Sequence, residues 1–133
     1  MSTCILQEEI LMIKLADTEW KIMELLWEKG PLTTMELTRE LETSMGWTKS
    51  TVITLLKRMD GKGSVYFESV DKTKKYFPSI QREEAELEET KSFLNKFYKG
   101  NLGLMISNLI NQEALTKEEI EELHKIIEKG NNK

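Results

Sequence analysis

Between positions 48 and 58 the chain interleaves short hydroxyls with positive charge: Thr48, Lys49, Ser50, Thr51, Thr54, Lys57 and Arg58. Short hydroxyl side chains can come close to phosphates and base edges, and Lys or Arg supplies counter-charge to a polyanion. Lys72, Lys74 and Lys75 form a second basic cluster shortly afterwards. This is the chemistry of binding rather than of bond-making. Cys4 is the only cysteine and His124 the only histidine. A single cysteine allows no intrachain disulfide and no thiolate-cluster metal site, and one histidine leaves few nucleophile–base pairs. No paired catalytic carboxylates and no glycine-rich phosphate loop stand out. The chain is therefore read as not an enzyme, with no cofactor, metal or catalytic residue expected. His124, beside Leu123 on a charged helix, reads as a surface residue.

Charge distribution sharpens this. The net charge is −4 over 133 residues, which by itself opposes a nucleic-acid partner. Residues 44–79, however, hold seven basic against three acidic side chains, net +4, between flanks of −5 (residues 1–43) and −3 (residues 80–133). Taken alone, such a run reads equally well as a solvated surface. Length allows one ordinary domain, or a small domain with a helical appendage. A 32% charged and 39% hydrophobic composition suits a folded cytosolic protein. With no apolar run of about 20 residues and no signal-peptide pattern, a cytoplasmic location without membrane association is expected.

The elements that would position the cluster follow from periodicity. Asp17 can cap a helix to about Lys29 that buries Trp20, Ile22, Met23, Leu25, Leu26 and Trp27, with Gly30-Pro31 ending it. Thr33 and Glu36 form a capping box for a second helix with Leu37 and Leu41 as core residues. Thr48 caps a third, whose Val52, Leu55, Leu56 and Met59 share one face. Ser50, Thr54 and Lys57 then face the other way, flanked by Thr51 and Arg58. The period changes to two in Val65–Glu68 and Lys75–Phe77, around a polar turn Asp71-Lys72-Thr73-Lys74. Tyr66, Phe67, Tyr76 and Phe77 are expected to pack this hairpin on the core. After Pro78 come three helical stretches: Gln81–Tyr98, the stripe Leu102, Met105, Ile106, Leu109 and Ile110, and a capping box at Thr116–Glu119 leading to Gly130 as a stop.

Three helices followed by a basic hairpin are the order of a winged helix-turn-helix, in which the third helix enters the major groove and the wing follows the backbone. The expected fold is mainly α with a small β-hairpin, organised as an N-terminal extension (1–12), a winged-helix DNA-binding domain (13–79) and a helical dimerisation domain (80–133). Helices this short bury little alone, so a second copy is expected on Leu94, Phe97, Leu102, Met105, Ile106, Leu109, Ile110, Ile120, Leu123 and Ile127. The expected function is a dimeric repressor on double-stranded operator DNA. A winged-helix interaction module without DNA binding is the alternative, which the uncharged Ser50 and Ile53 favour and the basic wing and Lys57-Arg58 oppose.

Several segments resemble the penicillinase repressor (BlaI/MecI/CopY) family. They are Leu15–Met23 with Leu26-Trp27, Gly30–Thr33, Gly46–Val52, Leu55–Met59, Phe93–Lys96 and Leu115–Leu123, in that order. The resemblance spans roughly residues 13–129. It implies a winged helix, dimerisation through the C-terminal helices, and repression of antibiotic-resistance, metal-homeostasis or related operons. The family often has basic residues where this chain has Ser50 and Ile53. Its copper-responsive branch has a C-terminal cysteine cluster, absent here, and the first eleven residues precede the family's usual start. In the resistance repressors a sensor-linked protease cuts an Asn-Phe bond in the C-terminal helices. The matching position is Asn108-Leu109, where plain helix packing is the preferred reading.

Overall fold

The computed structural model describes residues 13–131, so the extension read at 1–12 lies outside the described residues. Helix α1 spans Asp17–Lys29 and is preceded by an extended Ala16. Asp17 was expected to be the cap, but it sits inside the first turn. Alanine has no side-chain acceptor, and the Glu19 carboxylate instead accepts the Ala16 N–H at 2.7 Å. Ile22, Met23 and Leu26 are buried, while Trp20, Leu25 and Trp27 pack half-buried at the edge.

The chain then makes a short strand that periodicity did not reveal, β1 (Leu32–Thr33), before α2 (Thr34–Met45). The capping box forms as expected: Thr33 Oγ1 accepts the Glu36 N–H at 3.2 Å and Glu36 accepts the Thr33 N–H at 2.9 Å. Gly46, at φ 71° in the left-handed region, ends α2 and turns the chain towards α3 (Lys49–Lys62). A side chain there would be strained, whereas glycine is not. Thr48 Oγ1 caps α3 by accepting the Thr51 N–H at 3.3 Å.

Strands β2 (Val65–Val70) and β3 (Thr73–Pro78) form the hairpin, and β3 also pairs with β1. The result is an antiparallel three-stranded sheet ordered β1-β3-β2, with Tyr76 opposite both Leu32 and Phe67. Three helices closed by this sheet make a winged helix-turn-helix. Its core joins Ile22, Met23 and Leu26 to Leu37 and Leu41, to Val52, Leu55, Leu56 and Met59, and to Val65 and Tyr76. Of the four hairpin aromatics, only Tyr76 is buried. Tyr66 and Phe77 stack on each other at 5.1 Å on the opposite face, because alternate residues of a strand point to opposite sides.

Ile80 and Ala85 also belong to this core, and Trp27 Nε1 donates to the Ile80 carbonyl at 3.0 Å. The first compact unit accordingly runs to Glu88 rather than ending at residue 79. Helix α4 (Arg82–Tyr98) begins within it and continues into the second unit, which holds α5 (Leu102–Asn111) and α6 (Lys117–Asn131). Asn101 caps α5 and a Thr116–Glu119 box caps α6. Gly130 does not stop α6, which continues to Asn131.

Candidate nucleic-acid interface

Helix α3 divides cleanly into two faces. Val52, Leu55, Leu56 and Met59 are buried, while Thr48, Lys49, Ser50, Thr51, Thr54, Lys57 and Arg58 are all exposed. Ile53 is half-buried at the boundary. The hydroxyls are not equivalent. Those of Thr48 and Thr51 lie 3.2 Å apart within the cap, and Thr54 Oγ1 donates to the Ser50 carbonyl at 2.9 Å. With its proton committed inward, Thr54 offers the outside a methyl group and an acceptor oxygen. Thr48 and Thr51 shape the helix N-terminus, whose unpaired amides attract anions.

The cations also differ. Among the described residues no ion pair holds Lys49 or Lys57. Arg58 Nε, in contrast, donates to Glu19 Oε2 at 2.9 Å, and Lys62 Nζ donates to Glu19 Oε1 and to the Lys14 carbonyl, both at 2.8 Å. Glu19 is fully buried, 0% exposed. Burial alone would raise its pKa, but the bonds from Lys62, the Ala16 N–H and Arg58 outweigh that and hold it below the usual carboxylate value. Two of the seven basic side chains in the middle segment are thus shared with one carboxylate from α1. Glu19 was not anticipated. Its signal was available, since it precedes Met23 by four and Leu26 by seven residues and so falls on the buried face.

In the wing, the turn is the dipeptide Asp71-Lys72, both at positive φ (50° and 66°), shorter than the expected Asp71–Lys74 turn. Such paired positive angles match the twist of a two-residue hairpin loop. Lys72 is therefore at the tip. Lys74 lies within β3 opposite Ser69, with its Nζ 4.5 Å from the centre of the Phe67 ring. Lys75 pairs in register with both Glu68 and Thr33, and its charge helps the Thr33 hydrogen bonds hold Glu36 below the ordinary carboxylate value. Lys72 and Lys74 remain placed for an external anion, whereas Lys75 sits among carboxylates.

The sequence profile of the penicillinase repressor family matches residues 15–129. The chain belongs to the penicillinase repressor family. A penicillinase repressor of Bacillus licheniformis is 31% identical over 90% of this chain and 94% of its own length. The methicillin resistance regulatory protein MecI of Mammaliicoccus sciuri is 28% identical over 87% of this chain and 94% of its own. The solution structure of the DNA-binding domain of the repressor BlaI aligns with a TM-score of 0.45 at 21% identity, covering 63% of this chain and 93% of that one.

Within the span matched by the family, the C-terminal helices leave apolar side chains uncovered. Leu102 and Ile110 of α5, Phe97 of α4 and Ile120 and Ile127 of α6 are exposed, and Leu94, Met105, Ile106, Leu109 and Leu123 are half-buried. No residue of α5 is buried in the single chain, although it is a strongly apolar helix. Asn108 is exposed, with its Nδ2 3.4 Å from Tyr98 Oη, and its carbonyl accepts the Gln112 N–H. The Asn108-Leu109 bond thus lies in a hydrogen-bonded helix. Among the described residues, no three His, Cys, Asp or Glu side chains gather as a metal site, and no helix is long and apolar enough to cross a membrane.

Proposed function

We propose that this chain is a dimeric, non-enzymatic repressor that binds double-stranded operator DNA by laying α3 in the major groove and the β2–β3 wing on the flanking backbone. The observation that carries the reading is the face of α3 opposite the core. Ser50, Thr54 and Lys57 stand exposed there without a protein partner covering them, beside an amide-rich helix end. Two chains related by a two-fold axis would meet two half-sites, so the operator is read as a (pseudo)palindrome. One named relative is a penicillinase repressor and the other a methicillin resistance regulatory protein, each matched over 94% of its own length, which supports the same role.

Release of the operator by an inducing signal belongs to this reading, with a sensor-linked protease as the partner that family resemblance suggests. Cleavage at Asn108-Leu109 would first require α5 to unwind, because proteases bind extended chain, so these two residues are kept as packing residues. The test separates base reading from backbone holding. Thr54→Ala is expected to change preference among single-base operator variants, by about 1–3 kcal/mol at one position. Lys72→Ala is expected to weaken all variants alike and lower the salt slope by about one per chain. Sequence preference that moves with Lys72 and not with Thr54 would put the wrong element in the groove.

A further inference from the structure

We infer that Glu19 is a positioning residue for DNA binding, pinning Arg58 by its Nε so that the two Nη groups face outward as a fixed fork for a backbone phosphate. This rests on the reading of α3 as the DNA-docking helix. Glu19 belongs to the first turn of α1 and Arg58 to the last half of α3, 39 positions along the chain. The carboxylate is completely buried, yet the Arg58 side chain is 50% exposed. Only Nε is bonded to Glu19; among the described residues nothing holds the Nη groups. An arginine side chain carries substantial rotamer entropy, and one already fixed at Nε loses less of it when it grips a phosphate with two parallel N–H bonds. Arg58 follows Thr54 by four residues and so borders the outward face of α3, at the edge where a groove-bound helix meets backbone.

Charge balance points the same way. Glu19 carries one negative charge and is gripped by two cations, Arg58 and Lys62, so the cluster keeps a net +1 with its negative member inside. A carboxylate needed only to neutralise a cation would gain nothing from being buried, because its desolvation is costly. A carboxylate that must hold an arginine in one orientation needs the rigid bonds that burial provides. Lys62 and the Ala16 N–H supply the remaining bonds of the carboxylate and keep it ionised. Lys62 also donates to the Lys14 carbonyl, so it closes the cluster rather than extending it.

The full-length protein is titrated against two labelled duplexes, its own upstream promoter region and a mixed-sequence fragment, at several salt concentrations. Arg58→Gln is expected to weaken both duplexes alike, by about tenfold, and to lower the salt slope by about 0.9 per chain. Glu19→Gln is expected to weaken binding by about threefold or more with the slope kept, since Arg58 retains its charge but not its aim. Placed on an Arg58→Gln background, Glu19→Gln should cause no further loss, as expected of residues acting through one another. A merely structural Glu19 would cost the same on both backgrounds, and that result overturns the inference. Should Glu19→Gln fail to fold, Arg58→Lys carries the test, because it keeps the charge and loses the fork. It is expected to weaken binding with an unchanged slope, and wild-type affinity for that variant would overturn the inference. A wild-type protein that binds neither duplex takes down the repressor reading itself, and with it this one.

Discussion

Replacing Leu102 with aspartate tests whether the uncovered helices of the C-terminal unit meet a second chain. Leu102 is 52% exposed in the single chain and begins α5, none of whose residues is buried. Fully burying a leucine side chain is worth about 1.5–3 kcal/mol, so the half still exposed is worth about 1 kcal/mol to whatever covers it. In a two-fold interface each substitution acts twice. Leu102→Ala should therefore cost about 2 kcal/mol of dimer, roughly thirtyfold in dissociation constant. Leu102→Asp additionally brings a charge into a dry interface, at several kcal/mol per chain, and should leave monomer at micromolar concentration. Phe97, 58% exposed on α4, should behave the same way as Phe97→Asp. Sedimentation equilibrium of the wild type, Leu102→Ala, both aspartate variants and Thr54→Ala decides it, with Thr54→Ala remaining dimeric because it lies on α3. A monomeric wild type would refute the reasoning. A dimer that survives both aspartates would move the interface off these helices.

The other predictions concern the winged helix. Lys72 sits at φ 66°, where a residue with a Cβ is strained, so Lys72→Gly should stabilise the wing by about 1 kcal/mol while weakening DNA binding. A thermal melt and a binding titration on the same sample check both signs; a lower melting temperature would show that the turn is not strained. Thr48→Ala should cost about 1 kcal/mol through the lost cap of α3, read as a shift in urea midpoint. Because the folded Glu19 carboxyl lies below its ordinary 4.5, its stabilisation is complete above that pH and is lost as pH falls through the lowered value. Urea midpoints should therefore drop on acidification below about pH 4.5, with Glu19→Gln removing part of that drop. An equally steep acid limb in the variant would mean that other carboxylates carry it.

The main helices and the hairpin were legible because each advertises itself locally. Thr33-Glu36 and Thr116-Glu119 are reciprocal caps in which both partners lie within one turn. Val52, Leu55, Leu56 and Met59 mark the buried face of α3 by spacing alone, and that fixes which residues face outward. Long-range features left weaker marks. Two residues are too few for alternation to identify β1, which exists because β3 offers it an edge at Tyr76 and Lys75. The hairpin turn was read too long because Asp71-Lys72 lacks the glycine that usually flags two positive φ angles. A charge count treats all cations alike, whereas folding sets Arg58 and Lys62 against Glu19 and Lys75 against Glu68 and Glu36. The basic segment was therefore real, but which of its members the protein itself holds depended on partners up to 48 positions away.

The most direct test of the account is a footprint and salt titration of the wild-type protein on its own upstream promoter. In the proposed function Lys49, Lys57, Arg58, Lys72 and Lys74 would meet phosphate, five per chain and ten in a dimer. Neutralising about 6–10 phosphates predicts that affinity falls by about 10³–10⁵ between 50 and 200 mM salt. The same experiment should show two protected half-sites whose centres lie a whole number of helical turns apart, about 10 base pairs or a multiple. No protected site, or binding that is indifferent to salt, would contradict the account and leave the winged helix as a protein-interaction module.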